Sequence, residues 1–410
     1  MESARLIGGL ARIVRDVGLA EELAQDALVI ALEKWPESGV PDKPGAWLMA
    51  TAKRRAMDSL RRQGTFERKK IELARQFEMD QAVLEAAPDG AGDDEIGDDL
   101  LSLIFVSCHP VLPSDSRTAL ALRVLGGLTT SEIARAFLVQ EATIAQRIVR
   151  AKRALADAGV PFEVPGREEF NERLASVLEV IYLIFNEGYL ATAGDDLMRP
   201  ALCEEALRLG RILAGLIPDE PEVQALVALM EIQASRTRAR VGPGGEPILL
   251  QHQNRGRWDQ LLIRRGLAAL RRAERLGGAQ GPYALQAAIA ACHARARSPE
   301  ETDWKRITEL YGLLAGVTPS PVVELNRAVA VAMAFGPAAA LPIVEGLRQE
   351  PSLQAYHLLS SVRGDLLEQL GRFEEAREEF ERAASLTINQ RQRELLLDRA
   401  AACGRAGSAG

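Results

Sequence analysis

The sequence has 410 residues, too many for one ordinary hydrophobic core, so two or three domains are expected. Its 47% hydrophobic and 26% charged residues are typical of a globular protein and exclude fibrous and intrinsically disordered chains. A formal net charge of −7 argues against a surface coated throughout in nucleic-acid-binding residues.

Apolar residues recur at helical spacing along nearly the whole chain, which predicts an all-α protein. The first helices are predicted at about 3–17, 20–35, 44–62, 99–107, 114–125, 130–137 and 141–156. The N-terminal segment lacks the continuous apolar core of a signal peptide. No run of apolar residues is long enough to span a membrane, so we expect no association with a membrane. Four scattered cysteines without a CxxC pair favour a reducing, cytoplasmic setting.

A basic helix is predicted at WLMATAKRRAMDSLRR, residues 47–62. Its apolar positions are Leu48, Thr51, Ala52, Met57 and Leu60. The helical period leaves its basic side chains largely on the outside: Lys53, Arg54, Arg55, Arg61 and Arg62. Taken alone, this pattern is more typical of a solvated helix face than of a DNA-reading helix.

An acidic segment follows, with nine acidic residues and no basic one between Glu78 and Asp99. Like charges repel one another and extend a chain, and glycine makes the backbone flexible, so residues 76–98 are predicted to form a flexible linker. The linker would separate a first domain, residues 1–75, from a second domain, residues 99–158.

Residues 128–153, LTTSEIARAFLVQEATIAQRIVRAKR, predict a helix-turn-helix. Thr129 and Glu132 have the spacing of a capping box. The apolar stripe of the first helix is Ile133, Ala134, Phe137 and Leu138, and the buried face of the second includes Ala142, Ile144, Ala145, Ile148 and Val149. Its opposite face carries side chains that suit base edges and phosphates in a major groove: Thr143, Gln146, Arg147, Arg150 and Arg153. A solvated basic helix face is the alternative interpretation.

The C-terminal part, residues 170–402, is predicted to be a helical extension that begins after the proline-containing connector 159–169. Within it, residues 357–390 fit a tetratricopeptide-like repeat. The small and large residues at the helix-packing positions of that template are Gly364, Gly371, Ala376, Phe380 and Ala383. One repeat cannot bury its apolar face alone, so neighbouring helix pairs are expected. An ordinary helical hairpin is the alternative.

Enzymatic or metal-binding chemistry has little support in the sequence. The adjacent pairs Cys108–His109 and Cys292–His293 lack the spacing of zinc ligands, and buried packing is the expected role of both. No nucleophile, phosphate loop or carboxylate pair is recognisable, so we expect no enzyme, no cofactor and no metal.

Several of these stretches together resemble the extracytoplasmic-function RNA polymerase sigma factors of the sigma-70 family. AEELAQDALVIALEKW (20–35) resembles their polymerase-docking region, and WLMATAKRRAMDSLRR resembles their −10-reading helix, W-L-x-x-I-A-R-N-x-x-x-D-x-x-R. Asp58 and Arg61 match that pattern, whereas Lys53 and Arg54 replace its arginine and asparagine, and Thr51 also departs from it. The helix-turn-helix is similar to their −35-reading domain. The stretches DDLLSLIFVSCHPVLP, IYLIFNEGYL, RWDQLLI, GPYALQAAIAACHA and TDWKRI resemble a subgroup with a long helical extension.

The resemblance implies a sigma factor that binds core RNA polymerase and promoter DNA. The −10 element would be read by Lys53, Arg54, Arg55, Asp58, Arg61 and Arg62, and the −35 element by Thr143, Gln146, Arg147, Arg150 and Arg153. Polymerase docking would fall to Glu22, Gln25 and Asp26, and the loop 38–44 would receive an unstacked base. The linker would be a plain spacer or a transcript-mimicking polyanion.

The extension is expected to regulate activity and to offer a surface for a protein or peptide partner. Two rival functions stay open: a helix-turn-helix transcriptional regulator with a helical sensor domain, and an interaction scaffold with incidental basic segments.

Overall fold

The computed structural model describes residues 2–62, 91–137, 139–190, 198–242 and 246–407. These residues form helices, joined by loops and one isolated β-bridge between Val241 and Pro247, which confirms the all-α prediction. None of the helices within the described ranges is both long and apolar enough to cross a membrane. The chain divides into two compact units, Met1–Leu183 and Ile184–Gly410.

The first unit contains seven described helices and the beginning of an eighth. They are α1 (Glu2–Val14), α2 (Val17–Ser38), α3 (Pro44–Arg62), α4 (Ala91–Ser107), α5 (Ser114–Val124), α6 (Thr130–Phe137), α7 (Glu141–Asp157) and α8 (Arg167–Tyr189). Asp16 caps α2 by accepting a 2.9 Å hydrogen bond from the Leu19 amide. Gly39 ends that helix at a φ of 79°, a conformation that glycine adopts without strain.

Helix α4 begins within the acidic segment. Residues 91–98 are helical, so the flexible linker predicted for residues 76–98 is too long at its C-terminal end. The physical reason is cooperativity: the buried segment 100–107 forms a helix, and each added residue of an existing helix costs far less than a new nucleus. Residues 76–90 of the predicted linker lie outside the described residues.

The two predicted domains on either side of the linker pack against each other. A Cβ on Gly8 of α1 would lie 2.9 Å from the Asp99 carbonyl oxygen of α4, so only glycine permits this approach. Arg12 also forms a 3.3 Å ion pair with Asp99. The sequence predicts two modules on a flexible tether, but the structure joins them in one compact unit. Periodicity within each segment does not reveal this contact, because a small residue and a backbone carbonyl make it.

The first half of α8 packs on α4 and α5 rather than standing apart as part of the extension. The rings of Phe105 and Phe170 lie 5.5 Å apart. Arg173 donates to the Phe105 carbonyl at 3.3 Å and Ser176 to the Cys108 carbonyl at 2.5 Å, so both satisfy acceptors at the C-terminal end of α4. The two compact units divide at Leu183, within α8, so the first part of the segment predicted as the extension from residue 170 packs in the first unit.

The second unit is a succession of helices, most of which contact the next helix in the chain. They are the end of α8, α9 (Pro200–Leu216), α10 (Pro221–Ala234), α11 (Gln260–Arg275), α12 (Pro282–Arg295), α13 (Trp304–Val317), α14 (Pro321–Phe335), α15 (Pro337–Leu347), α16 (His357–Gln369), α17 (Phe373–Leu386) and α18 (Gln390–Gly407). Such neighbour-to-neighbour packing is characteristic of helical repeat proteins.

Helices α16 and α17 form a closely packed pair where the tetratricopeptide-like repeat is predicted. A Cβ on Gly364 would lie 2.8 Å from the Phe380 ring, so the two helices approach as closely as the glycine allows. Gly371 adopts a φ of 74° in the turn between them. Helix α18 covers the pair with Leu396, Ala400 and Cys403, which pack in the same cluster as Phe380.

Candidate nucleic-acid interface

The helix-turn-helix begins with the predicted capping box. The Thr129 amide donates to Glu132 Oε2 at 2.7 Å, and the Glu132 amide donates to Thr129 Oγ1 at 3.2 Å. Each residue therefore satisfies a backbone donor of the other, which fixes the start of α6. Ile133 and Ala134 are buried and Phe137 is half-buried, while Leu138 lies outside the described residues.

Helix α7 buries a narrower stripe than its sequence predicts. Its buried residues are Ile144, Ile148, Ala151 and Leu155. Ala142, Ala145 and Val149 were expected on this face, yet all three are exposed, Val149 by 64%. The reason is that α7 packs mainly on α5 and α6, which cover only one i, i+4, i+7 stripe.

The predicted −35-reading side chains share the opposite side of α7. Thr143, Gln146, Arg150 and Arg153 are exposed, and Arg147 is half-buried. Arg147 Nη2 lies 2.7 Å from a carboxylate oxygen of Asp115, and Arg153 Nε lies 3.5 Å from Asp157. Ion pairs this exposed contribute at most about 1 kcal/mol, so both arginines can exchange a carboxylate for a phosphate or a base.

Helix α3 buries Leu48, Ala52 and Ala56 and turns part of its basic side outward. Arg54 and Arg55 are exposed, and Lys53 is half-buried. The side chains of Met57, Asp58, Leu60, Arg61 and Arg62 lie outside the described residues. The half-buried Trp47 packs against Trp35 at a ring distance of 5.5 Å.

Helix α2 carries the predicted polymerase-docking residues on its exposed side. Glu22, Gln25 and Asp26 are all exposed. Glu21, the neighbour of Glu22 in the sequence, instead points inward and is only 4% exposed. Its position explains this, since Glu21 lies on the same helical face as the buried residues Val17 and Ala24.

Glu21 is the centre of a polar cluster that the sequence did not predict. One carboxylate oxygen lies 2.6 Å from Arg123 Nε and accepts a 2.8 Å hydrogen bond from Gln25. The other oxygen lies 2.6 Å from Lys152 Nζ. Arg123 belongs to α5 and Lys152 to α7, so this Glu21 cluster ties α2 to the helix-turn-helix.

Comparisons with known families match three parts of the chain. The Sigma-70 region 2 profile matches residues 2–66, which include α1 to α3. The Sigma-70, region 4 profile matches residues 102–155, which include the helix-turn-helix. A family of unknown function (DUF6596) matches residues 173–274.

Similar proteins fall into two groups. "ECF RNA polymerase sigma factor SigK" of Mycobacterium ulcerans is 31% identical over 155 residues, which are 37% of this chain and 78% of that relative. This chain belongs to the ECF RNA polymerase sigma factors. "Uncharacterized protein R00370" of Rhizobium meliloti is 46% identical over 384 residues, 93% of this chain and 89% of that relative. The sigma factor therefore shares its long extension with a relative of similar length.

The ECF sigma factor directs transcription initiation and is a non-enzymatic regulator. Its regions 2 and 4 are the segments that the Glu21 cluster joins, since Glu21 lies in region 2 and both cations lie in region 4. Among solved structures, the yeast Tom70 crystal structure aligns with 99% of this chain and 83% of its own, at 12% identity. Its TM-score of 0.34 is too low to support an inference.

The Cys–His pairs have surroundings that favour uncharged packing. Burial raises the pKa of the Cys108 thiol to about 12, and burial with the nearby Arg173 guanidinium lowers the pKa of His109. Burial also raises the pKa of Cys292. In the part of the chain that the structure describes, no three His, Cys, Asp or Glu residues gather as metal ligands would.

Proposed function

We propose that this sigma factor acts in the cytoplasm, docks on core RNA polymerase through the exposed side of α2, and reads promoter DNA through α3 and α7. The observation that carries the proposal is the capped helix-turn-helix, whose second helix exposes Gln146 and Arg150. Purified core polymerase with this chain should initiate from a cognate promoter. A helix-turn-helix regulator would not support initiation, and a scaffold would show no salt-dependent promoter binding by the holoenzyme.

The basic residues of α7 are proposed to read or clamp the −35 element. Replacing Arg147 or Arg150 with alanine should weaken promoter binding by about 1–3 kcal/mol and relax the preference at one base pair. Binding of the holoenzyme to a library of −35 variants measures both effects. Arg167→Ala is the control, because Arg167 is an exposed arginine of the same unit outside the helix-turn-helix. Unchanged promoter selection by both variants would rule out this role.

The exposed side of α2 is proposed to contact a basic surface of the polymerase. Asp26→Lys should weaken core binding, because it puts a cation next to Glu22 on the surface that faces the positive charge of the partner. Pull-down of the core enzyme by the tagged chain measures the loss. Glu163→Lys makes the same charge change at an exposed connector residue and should bind normally. Full holoenzyme assembly by Asp26→Lys would refute the assignment.

The compact first unit is proposed to be a closed form that opens on the promoter. Their names place the −10 and −35 elements about 25 base pairs apart, which is about 85 Å at about 3.4 Å per base pair. A compact unit of this length is only about 40 Å across. The basic helices α3 and α7 belong to one such unit, so they must separate before both elements are read. We propose that the Glu21 cluster holds the closed form.

The extension is proposed to be an integral regulator with a surface for a protein or peptide partner. Helix α8 leads into the extension, and its first half is fixed at the end of α4 through Arg173 and Ser176, so the chain enters the extension on a continuous, anchored helix. Stacked helix pairs elsewhere in the unit provide the kind of surface that helical repeats use for peptides.

A further inference from the structure

Three arginines of the second unit converge on two aromatic rings. Arg240 lies over the Tyr189 ring, with its guanidinium carbon 3.6 Å from the ring centroid. The Arg236 guanidinium carbon lies 5.8 Å from the centroids of both Tyr189 and Trp258. Arg255 lies 5.0 Å from the Trp258 centroid. Each arginine is half-buried, so the cluster combines partial desolvation with access to solvent.

This arginine cluster (Arg236, Arg240 and Arg255) has Glu300 and Glu301 as its acidic neighbours, and their charges favour the protonated form of Arg255 without pairing with it. Within the described ranges, none of the three forms an ion pair with a carboxylate. Burial is the main cause of a lowered pKa at both Arg255 and Arg240, and repulsion from Arg236 lowers both pKa values further. Like charges brought together at partly buried positions cost stability unless an anion compensates them.

Two of the arginines keep most of their hydrogen-bonding capacity. Arg255 is occupied, because it donates to the carbonyls of His293 and Ala296 around the end of α12 and to the Thr302 hydroxyl before α13. Among the described residues, Arg236 makes one side-chain hydrogen bond, to Gln233, and Arg240 makes one to the Tyr189 carbonyl. A guanidinium has five N–H donors, so most of those on Arg236 and Arg240 are uncommitted.

Buried neighbours add unpaired polar atoms at the same place. Trp258 is 4% exposed, and its indole Nε1 has no hydrogen-bond partner in the described ranges of the chain. His293 is 8% exposed, and its Nδ1 likewise finds no partner among the residues that the structure describes. Burial, with Arg236 and Arg255 nearby, lowers the pKa of His293 to about 3, so this ring adds no charge at neutral pH. Unsatisfied buried polar groups are rare in proteins and often mark a site that a ligand or water completes.

We propose that Arg236 and Arg240, supported by Arg255, Tyr189 and Trp258, bind the oxyanion group of a small molecule. The uncommitted atoms of the arginines and of Trp258 are donors, and a phosphate or carboxylate offers only acceptors to them. A planar guanidinium pairs with either group through two parallel hydrogen bonds. The site is assembled from the end of α8, the segment after α10 and the segment before α11. It does not depend on the proposed roles in promoter or polymerase binding.

Calorimetric titration of the full chain, with inorganic phosphate and malonate as separate probes, tests the site. A titration with chloride at the same ionic strength is the reference for both probes, because it gives the heat that comes from charge screening alone. Saturable binding of either probe to the wild type is expected. Preference for phosphate would identify a phosphate group, and equal or stronger malonate binding would identify a carboxylate. Wild-type heats no larger than those of chloride would overturn the proposal.

Arginine variants locate the binding. Arg236→Gln and Arg240→Gln should each weaken the preferred probe about tenfold to a hundredfold, as expected for loss of a charge-assisted contact. Arg238→Gln is the matched control, because Arg238 is an exposed arginine between the two and should leave affinity unchanged. Thermal melting in chloride shows whether each variant is folded. If a glutamine variant does not fold, the lysine variant at the same position, Arg236→Lys or Arg240→Lys, is used instead, because lysine keeps the charge but cannot form two parallel hydrogen bonds. Equal affinity in the variants and the control would place the anion elsewhere and refute the assignment.

Discussion

Glu21→Gln is expected to open the first unit while leaving its helices folded. The substitution keeps the shape of the side chain but removes the charge that compensates Arg123 and Lys152, both 2.6 Å away. Removing one partner of a buried ion pair typically costs about 3–5 kcal/mol, because the remaining charge is left uncompensated. Arg123 and Lys152 retain some exposure, so we expect about 3 kcal/mol, which corresponds to about a hundredfold larger open population.

The consequence for DNA binding can be measured without polymerase. In the closed unit, the basic helices α3 and α7 cannot span a promoter, so Glu21→Gln should bind a promoter duplex more tightly than the wild type. Glu22→Gln is the matched control, since it makes the same chemical change at the adjacent, exposed position. Circular dichroism separates opening from loss of helix. Equal promoter affinities for the wild type and both variants would show that Glu21 does not restrain the two regions.

Removal of the extension is expected to abolish normal activity, but the position of the cut matters. A truncation after Pro165 deletes Phe170, Arg173 and Ser176, which cover Phe105 and the carbonyls at the end of α4. Loss of such buried contacts should destabilise the first unit by on the order of 3–5 kcal/mol. A truncation after Leu183 keeps these contacts and should melt as the intact first unit does.

Transcription from the native promoter by core polymerase distinguishes regulation from destabilisation. If the extension is a required regulator, the chain ending at Leu183 is folded and yet less active than the full chain. Higher activity of that truncated chain would show that the extension inhibits instead. Activity indistinguishable from the full chain, in vitro and in the cell, would end the regulatory hypothesis.

Local features were predictable from the sequence because they depend on residues a few positions apart. The capping box of Thr129 and Glu132 and the close approach at Gly364 both lie where the sequence predicts them. The same reasoning placed Gln146 and Arg150 on an exposed helix face. It misplaced Val149, because periodicity gives the direction of an apolar face but not how much of it a neighbouring helix covers.

Long-range contacts were not predictable in this way. Glu21 and Arg123 are 102 residues apart, and no local rule pairs them. The sequence did contain a signal, since Glu21 interrupts the apolar stripe of Val17, Ala20 and Ala24. A carboxylate in such a stripe requires a cationic partner, but which residue is that partner depends on the helices that pack against α2. The arginine cluster was missed for the same reason, because segments far apart in the chain assemble it.

The distance between α2 and α7, measured in the free chain and on the promoter, tests the closed-to-open account most directly. Spin labels are attached at Glu37 and Asp157, two exposed positions that are each replaced with cysteine. Cys292→Ser removes the half-buried native thiol, which could otherwise be labelled as well. The other three native cysteines are buried, and burial raises the pKa of Cys108 and Cys203 to about 12, which disfavours reactive thiolates. We predict a short, narrow distance distribution for the free chain that lengthens when core polymerase and promoter DNA are added. A long, broad distribution in the free chain, or an unchanged short one in the promoter complex, would contradict the account.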